Sequence, residues 1–159
     1  MINVKFITVG NLKEGYLREA ASEYEKRLGG FCNFKEVQLK EEKLSERPSE
    51  SEINAALERE GAKILAEVPP RAFCVAMCVE GGQLSSEELA KKLDDVAQSH
   101  GELCFIIGSS YGLSPKVKAA SNMRLSVSKL TFPHQLMRVL LLEAVYRAFN
   151  IQKGTKYHK

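Results

Sequence analysis

Short, wholly apolar segments alternate with longer amphipathic ones along this chain, and this alternation constrains the fold more than any other feature. Residues 72–79 and 103–107 are apolar without exception. Runs of this length are too short to cross a membrane, and they fit strands that are buried on both faces. Such strands are typical of parallel sheets. We therefore predict an α/β fold, with a mostly parallel sheet and helices on both faces, in a single domain over residues 1–159.

Periodicity and capping signals divide the chain into strands and helices. Strands are predicted at residues 2–9, 34–39, 72–79, 103–107 and 124–127. The first helix is predicted over residues 12–28 and ends at a pair of glycines. Ser49–Glu52 and Ser85–Glu88 have the Ser-x-x-Glu pattern of a capping box, and Ser114 is followed by a proline. Each of these three patterns predicts the start of a further helix.

The last helix opens near Pro133 and carries a broad apolar stripe. The stripe is wide enough to cover the sheet and still contact a second subunit. Met137, Leu141 and Val145 are candidates for that contact. We therefore expect a homodimer that pairs through this helix.

Basic residues are concentrated at the carboxyl end. Residues 114–159 contain nine lysines and arginines but only one acid, Glu143, so this segment has a net charge of +8. The whole chain carries only +3, so the preceding residues are acidic on balance. A basic end on an acidic body favours an anionic partner, and nucleic acid is the first candidate.

The four cysteines give no sign of a metal site or of disulfides. The cysteines are Cys32, Cys74, Cys78 and Cys104. No two of them form a Cys-x-x-Cys pair, and no histidine lies at zinc-ligand spacing from them. We interpret them as reduced core thiols. The first residues lack the basic and apolar segments of a signal peptide. We therefore expect a cytoplasmic protein that uses no metal.

Three loops follow predicted strands and are candidates for ligand binding. They span residues 80–82, 108–112 and 128–133, and residues 80–83 are predicted to turn the chain. In open α/β sheets, ligands bind beyond the carboxyl ends of the strands, and glycine lets a backbone approach a ligand closely. No Walker or Gly-x-Gly-x-x-Gly motif is present. We predict a pocket of backbone N–H and C=O groups.

The polar tail holds further candidates for chemistry. Residues 153–159 contain three lysines with Tyr157 and His158, and nothing apolar enough to anchor a core. We expect this tail to be disordered and its removal to cost little stability. Once docked on RNA, the tyrosine and histidine can stack on an unpaired base and hydrogen-bond to it. His134 is interpreted as a helix-start or packing residue.

Several motifs make the chain similar to a known family. They are Val9–Lys13, Glu23–Leu28, Phe105–Gly108, Ser128–Gln135, Met137-Arg138, Glu143–Ala148 and Gly154–Lys159. The Thr-Phe-Pro-His-Gln run and the Tyr-His-Lys ending are the most specific of them. With these motifs the chain resembles, over essentially its whole length, the RlmH group of bacterial ribosomal large-subunit methyltransferases in the SPOUT superfamily.

The resemblance implies a homodimer with a trefoil knot in the carboxyl-terminal half and S-adenosylmethionine bound in the knot. It implies methylation of N3 of a pseudouridine in a hairpin loop of 23S rRNA in the assembled ribosome. The cofactor contacts carry over to eight residues: Met77, Gly108, Val127, Ser128, Lys129, Leu130, Thr131 and Phe132. The tail of one subunit is expected to cap the cofactor site of the other.

Two further sets of residues are assigned roles on this basis. Tyr157 and His158 are candidates for recognising the base or removing its proton. Five cations are candidates for holding RNA phosphates: Lys129, Arg138, Lys153, Lys156 and Lys159.

The chain departs from the family pattern at four positions in three segments. Within residues 77–82, the chain lacks an acid and a lysine at the two positions where the family usually has them. Elsewhere, Lys153 replaces an arginine and Ser109 replaces a glycine. Two other functions stay open at this point. One is a SPOUT methyltransferase that modifies tRNA, and the other is a ribosome-binding factor without catalysis.

Overall fold

A computed structural model describes all 159 residues. The strands are β1 (Asn3–Val9), β2 (Asn33–Leu39), β3 (Phe73–Gly82), β4 (Glu102–Ile107) and β5 (Met123–Leu125). The helices are α1 (Gly15–Leu28), α2 (Glu50–Glu67), α3 (Ser86–Ser99), α4 (Pro115–Ala120) and α5 (His134–Lys153). All strand pairs are parallel, in the order β2-β1-β4-β3-β5. The predicted α/β fold with a parallel sheet is confirmed.

Different helices cover the two faces of the sheet, as predicted. On one face, α1, α3 and α5 pack onto strand residues such as Phe6 and Phe105. On the other face, Ile64 of α2 and Val117 of α4 pack onto residues such as Ile106. Because successive strand residues point to opposite faces, every central strand must be apolar on both sides. This requirement explains the uninterrupted apolar runs in the sequence.

Hydrogen bonds at the helix starts match the capping signals. The Oγ atoms of Ser49 and Ser85 accept the backbone N–H of Glu52 and Glu88 at 3.2 and 3.0 Å. In return, each glutamate carboxylate accepts the N–H of its serine. The Ser114 Oγ caps α4 in a similar way. Caps of this kind stabilise a helix by about 1 kcal/mol each, so these local signals were reliable.

Two strand boundaries differ from the prediction. Residues 80–82, predicted as a turn, belong to β3, in which Met77 and Gly82 are both in register with Leu125. The four residues between them bulge out of the ladder, and the Gly81 backbone lies so close to Leu125 that a Cβ atom would overlap it. β5 ends at Leu125, two residues earlier than predicted, and the next backbone N–H, from Ser126, donates to the Gly82 carbonyl oxygen at 2.8 Å.

Helix α5 contributes less to the surface than its apolar stripe suggested. Leu141 and Val145, proposed as contacts to a second subunit, are fully buried against the sheet. Leu140 is half-buried and packs against neither core cluster, so it is the better candidate for such a contact. None of the helices is both long and apolar enough to span a membrane.

Candidate functional site

A cavity of about 460 Å³ opens at the carboxyl ends of β3, β4 and β5. Its walls are formed by residues 77–80, 107–113, 125–128 and 130–134, together with Lys118 and Met137. β3 lies between β4 and β5 in the sheet. Because the carboxyl ends of parallel strands share one edge of the sheet, three loops that are far apart in the chain meet here.

Seven of the eight residues predicted to bind the cofactor line this cavity. They are Met77, Gly108, Val127, Ser128, Leu130, Thr131 and Phe132. The eighth, Lys129, is exposed and lies outside the lining. Lys129 is therefore available to a partner in solution.

Gly108 is required by its own loop. A Cβ atom at this position would overlap the Gly112 carbonyl oxygen, because the loop folds back on itself here. The backbone N–H of Gly112 donates to the Ser109 carbonyl oxygen at 2.9 Å, and Gly112 itself has a φ of +91°. Gly108 therefore has a structural role, since it closes the turn that shapes the cavity, and its contact with the cofactor stays a prediction.

The loop after β5 is held by short-range hydrogen bonds. The Ser126 Oγ donates to the Ser128 carbonyl oxygen at 2.9 Å, and the Ser128 Oγ accepts the Leu130 backbone N–H at 3.0 Å. This conformation leaves Val127 and Leu130 exposed at the cavity.

An apolar rim surrounds the opening. It consists of Val79, Tyr111, Val127 and Leu130, of which Val79 is 85% exposed and Leu130 is 72% exposed. Only two other large apolar side chains of the chain are comparably exposed, Met1 and Tyr16. Exposed apolar groups concentrated at one cavity indicate a binding surface.

One ion pair lies at the edge of the cavity. The Lys118 ammonium donates a hydrogen bond to the Glu80 carboxylate, and this bond holds the pKa of that carboxyl below its usual range. His134, in the opposite wall, is half-buried, and burial lowers its pKa. The cavity therefore presents an ion pair between Glu80 and Lys118 and a half-buried imidazole whose pKa is lowered.

The tail is ordered and lies on its own chain, contrary to our expectation. The Tyr157 ring packs edge-on against Tyr146 of α5, with 4.9 Å between ring centroids, and the Arg147 guanidinium lies 4.7 Å from the Tyr157 ring centroid. The Tyr157 hydroxyl donates to the Glu143 carboxylate at 3.0 Å. Neither Tyr157 nor His158 lines the cavity of this chain.

Both tail side chains are engaged in ways that bear on proton transfer. Burial and the Glu143 carboxylate raise the pKa of Tyr157 to about 12. The Arg147 Nη1 lies 3.2 Å from the His158 Nδ1, and a guanidinium can only donate, so Nδ1 is the acceptor. The Nε2–H then donates to the Glu87 carboxylate at 2.8 Å. In this arrangement, neither side chain has a free basic atom.

The predicted RNA-binding cations fall into two groups. Lys129, Lys153, Lys156 and Lys159 are exposed. Arg138 is 1% exposed, and its Nη2 donates to the carbonyl oxygens of Val9 and Gly10. The assignment of Arg138 to RNA is therefore wrong, because this side chain is used inside the fold.

The chain matches a family model described as "Predicted SPOUT methyltransferase" over residues 2–158. This match spans nearly the whole chain. The chain belongs to the SPOUT methyltransferase family. Within this family, it is 50% identical to ribosomal RNA large subunit methyltransferase H of Streptococcus thermophilus, over 99% of this chain and all of that protein. The proteins of the same name from Leuconostoc mesenteroides and Clostridioides difficile are 46% and 43% identical over the same shares.

The fold of this SPOUT methyltransferase is also found among solved structures. The structure of a probable methylase family protein from Haemophilus influenzae Rd KW20 aligns with a TM-score of 0.54 and 16% identity. The alignment covers 99% of this chain and 70% of that one. At this level of identity the similarity concerns the fold, which for SPOUT proteins is the α/β knot.

SPOUT methyltransferases use S-adenosylmethionine. This molecule has a flat adenine ring, a sulfonium cation and an amino-acid end that carries both charges. The cavity has the size of typical small-molecule sites. Its apolar rim fits the adenine ring, and the Glu80–Lys118 pair offers one charge of each sign for the amino-acid end. The residues of this SPOUT methyltransferase therefore fit the cofactor in size and in chemistry.

Sequence reasoning missed several lining residues of this SPOUT methyltransferase, above all Lys118. Lys118 reaches the cavity from α4 and is 38 residues from its partner Glu80 along the chain. No local pattern marks a lysine on a short helix as part of a site. Tyr111 lies within the predicted loop of residues 108–112. Its place between the glycines of that loop could have indicated that its ring is exposed.

Proposed function

We propose that the chain is an S-adenosylmethionine-dependent methyltransferase that methylates N3 of a pseudouridine in a hairpin loop of 23S rRNA, acting on ribosomes in the cytoplasm. The observation that carries this proposal is the 50% identity, from end to end, with a protein named ribosomal RNA large subunit methyltransferase H. The cavity supports the cofactor half of the reaction. The exposed lysines, with the net charge of +8 over residues 114–159, support the RNA half.

Positioning is the main contribution of the chain's own residues. When bound, S-adenosylmethionine supplies a methyl group that the sulfonium charge has already activated. Met77, Gly108 and the loop of residues 127–132 would hold it, with Glu80 and Lys118 near its charged end. Enclosure of the reacting groups between these loops would keep the methyl group aligned with the base.

The tail would recognise the base and not remove its proton. The imide N3–H must lose a proton, but the Tyr157 hydroxyl already donates to Glu143, and its pKa of about 12 disfavours the phenolate. The His158 Nδ1 is occupied by Arg147. We therefore assign stacking on the base to Tyr157. His158 would hydrogen-bond the base once its Nε2–H is released from Glu87, and we infer that the imide proton leaves to solvent.

A homodimer would bring the tail to the cofactor. Tyr157 packs against Tyr146, whereas the cavity wall on the same helix ends at Met137. Nine residues of helix separate these two positions, which is about 13 Å at 1.5 Å per residue. In this conformation the tail does not cover the cavity of its own chain. We infer that the partner's tail does so, and that Leu140 lies in the contact between the subunits.

Methyl transfer from labelled S-adenosylmethionine tests the proposal. Ribosomes, free 23S rRNA and tRNA are offered in parallel, and the labelled nucleotide is identified by mass spectrometry after digestion. We expect N3-methylated pseudouridine in ribosomal RNA and no label in tRNA. Label confined to tRNA would favour the tRNA-modifying alternative. Ribosome binding without any calorimetric signal for the cofactor would favour the non-catalytic binding factor.

A further inference from the structure

The start of α5 is fixed by contacts from outside the helix. Pro133, at the N-cap position, makes no side-chain hydrogen bond to the first turn. Pro133, His134 and Met137 nevertheless form part of the cavity wall. A helix start without a local cap frays more readily. The position of this wall therefore depends on groups elsewhere in the fold.

Two side chains tie these first turns of α5 to the loop after β1. The Gln135 Oε1 accepts the backbone N–H of Lys13 at 2.9 Å. The Arg138 Nη2 donates to the carbonyl oxygens of Val9 and Gly10 at 3.3 and 3.0 Å. The Nε and Nη1 atoms of Arg138 have no hydrogen-bond partner, so Nη2 alone forms the hydrogen bonds of this buried guanidinium.

Neither of these side chains lines the cavity, but each is adjacent to a residue that does. Gln135 follows His134, and Arg138 follows Met137. A movement of the first two turns away from the β1 loop would shift both wall residues, because His134 and Met137 lie on those turns. The hydrogen bonds to residues 9–13 oppose that movement.

We infer that Gln135, together with Arg138, is a positioning residue of the cofactor site. It acts through His134 and Met137 and makes no contact with the cofactor. The inference rests on the proposed function, since cofactor affinity is its readout. The β1 loop thereby becomes part of the cofactor site, although it lies two strands away from β3 in the sheet.

The same helix offers a matched control. Near the other end of α5, the Gln152 Nε2 donates to the Ala90 carbonyl oxygen at 2.8 Å. Gln135→Ala and Gln152→Ala each remove one long-range hydrogen bond between a glutamine of α5 and the backbone of another segment. The two positions are 17 residues apart, which is about 25 Å along the helix. A purely structural effect should be similar in both variants.

Calorimetric titration with S-adenosylmethionine, well below the unfolding temperature of every variant, gives the affinities. We expect Gln135→Ala to weaken binding about fivefold, as loss of one net hydrogen bond implies, and Gln152→Ala to change it less than about twofold. Gln135→Glu retains an acceptor oxygen and should restore the affinity. In steady-state assays, Gln135→Ala should raise KM for the cofactor and leave kcat largely unchanged.

Three results would overturn the inference. Unchanged affinity in Gln135→Ala would mean that the helix start needs no anchor. Equal losses in both alanine variants would mark a general loss of stability and not a positioning effect. If the unchanged chain does not bind S-adenosylmethionine, the proposed function fails and this inference fails with it. If the unchanged chain binds normally, a negative result for the Gln135 variant overturns only this inference.

Discussion

Replacement of Tyr157 by alanine tests whether the tail belongs to the folded chain. The change removes an edge-on aromatic contact with Tyr146, a cation–π contact with Arg147 and a hydrogen bond to Glu143. Their typical contributions are about 1, 0.5 and 1 kcal/mol. The freed side chain recovers roughly 0.5 kcal/mol of conformational entropy. We therefore expect the free energy of unfolding to fall by about 2 kcal/mol.

Thermal unfolding followed by circular dichroism measures this loss. For a chain of this size, about 2 kcal/mol corresponds to a midpoint lower by roughly 4–8 °C. Tyr157→Phe keeps the ring and should lose only the hydrogen-bond share, about 1 kcal/mol. Tyr16→Ala is the control, since Tyr16 is 68% exposed and its loss should change stability by no more than about 0.5 kcal/mol.

The result that would refute this reasoning is a midpoint for Tyr157→Ala equal to that of the unchanged chain or of Tyr16→Ala. The tail would then be free in solution, as its composition alone predicts. A double-mutant cycle between Tyr157→Phe and Glu143→Ala, each of which removes the hydrogen bond, gives a second check. A coupling energy near zero would mean that the 3.0 Å hydrogen bond contributes nothing to stability.

Three further changes give independent tests. Gly108→Ala should destabilise the fold by about 1–3 kcal/mol and weaken cofactor binding, because the added Cβ overlaps Gly112. Gly82→Ala is the control: no atom lies nearer than 4.0 Å to its added Cβ, so this change should be nearly neutral in thermal melts. Leu140→Glu should give a folded monomer in sedimentation analysis, and a dimer of unchanged affinity would remove Leu140 from the interface. Burial, followed by the neighbouring Glu36, raises the pKa of the Glu25 carboxyl to about 7. The folded chain therefore binds the Glu25 proton more tightly than the unfolded chain does. The stability gained from this proton is present below pH 4.5 and is lost as the pH rises through 7. In urea unfolding, Glu25→Gln should therefore stabilise the chain by about 1 kcal/mol at pH 8 and not at pH 4.5. The full pKa shift would correspond to roughly 3 kcal/mol, but the partial exposure of Glu25 reduces this value.

The cavity could be predicted from the sequence because the rule behind it needs only local information. Apolar runs indicate parallel strands, and the loops that follow such strands meet at one edge. The loops of residues 108–112 and 128–133 were found in this way, and most of their residues line the cavity. The exact role of Gly108 was not predicted, since the overlapping atom belongs to Gly112 and depends on how the loop folds back.

The positions of Arg138 and of the tail were not predicted, for different reasons. The partner of Arg138, the Gly10 carbonyl oxygen, is 128 residues away in the chain, so nothing local distinguishes a buried arginine from an RNA-binding one. The tail docks on residues that were visible, since Glu143, Tyr146 and Arg147 lie on one face of α5 at helical spacing. A carboxylate, a ring and a guanidinium on one face could have been recognised as a receptor for Tyr157.

The strand order bears on the synthesis of the protein on the ribosome. β5 pairs only with β3, on the side away from β4, and the residues after it complete the cavity wall. A nascent chain released before α5 would lack this wall, and the sheet face that α5 covers would be bare. The pairing of β5 with β3 joins segments that are far apart in the chain, and such pairings form slowly. Because the amino-terminal end of a nascent chain emerges first, this pairing is completed late. We therefore expect the chain to gain affinity for the methyl donor only at the end of its synthesis, so that retention on an immobilised donor analogue would separate finished chains from prematurely terminated ones.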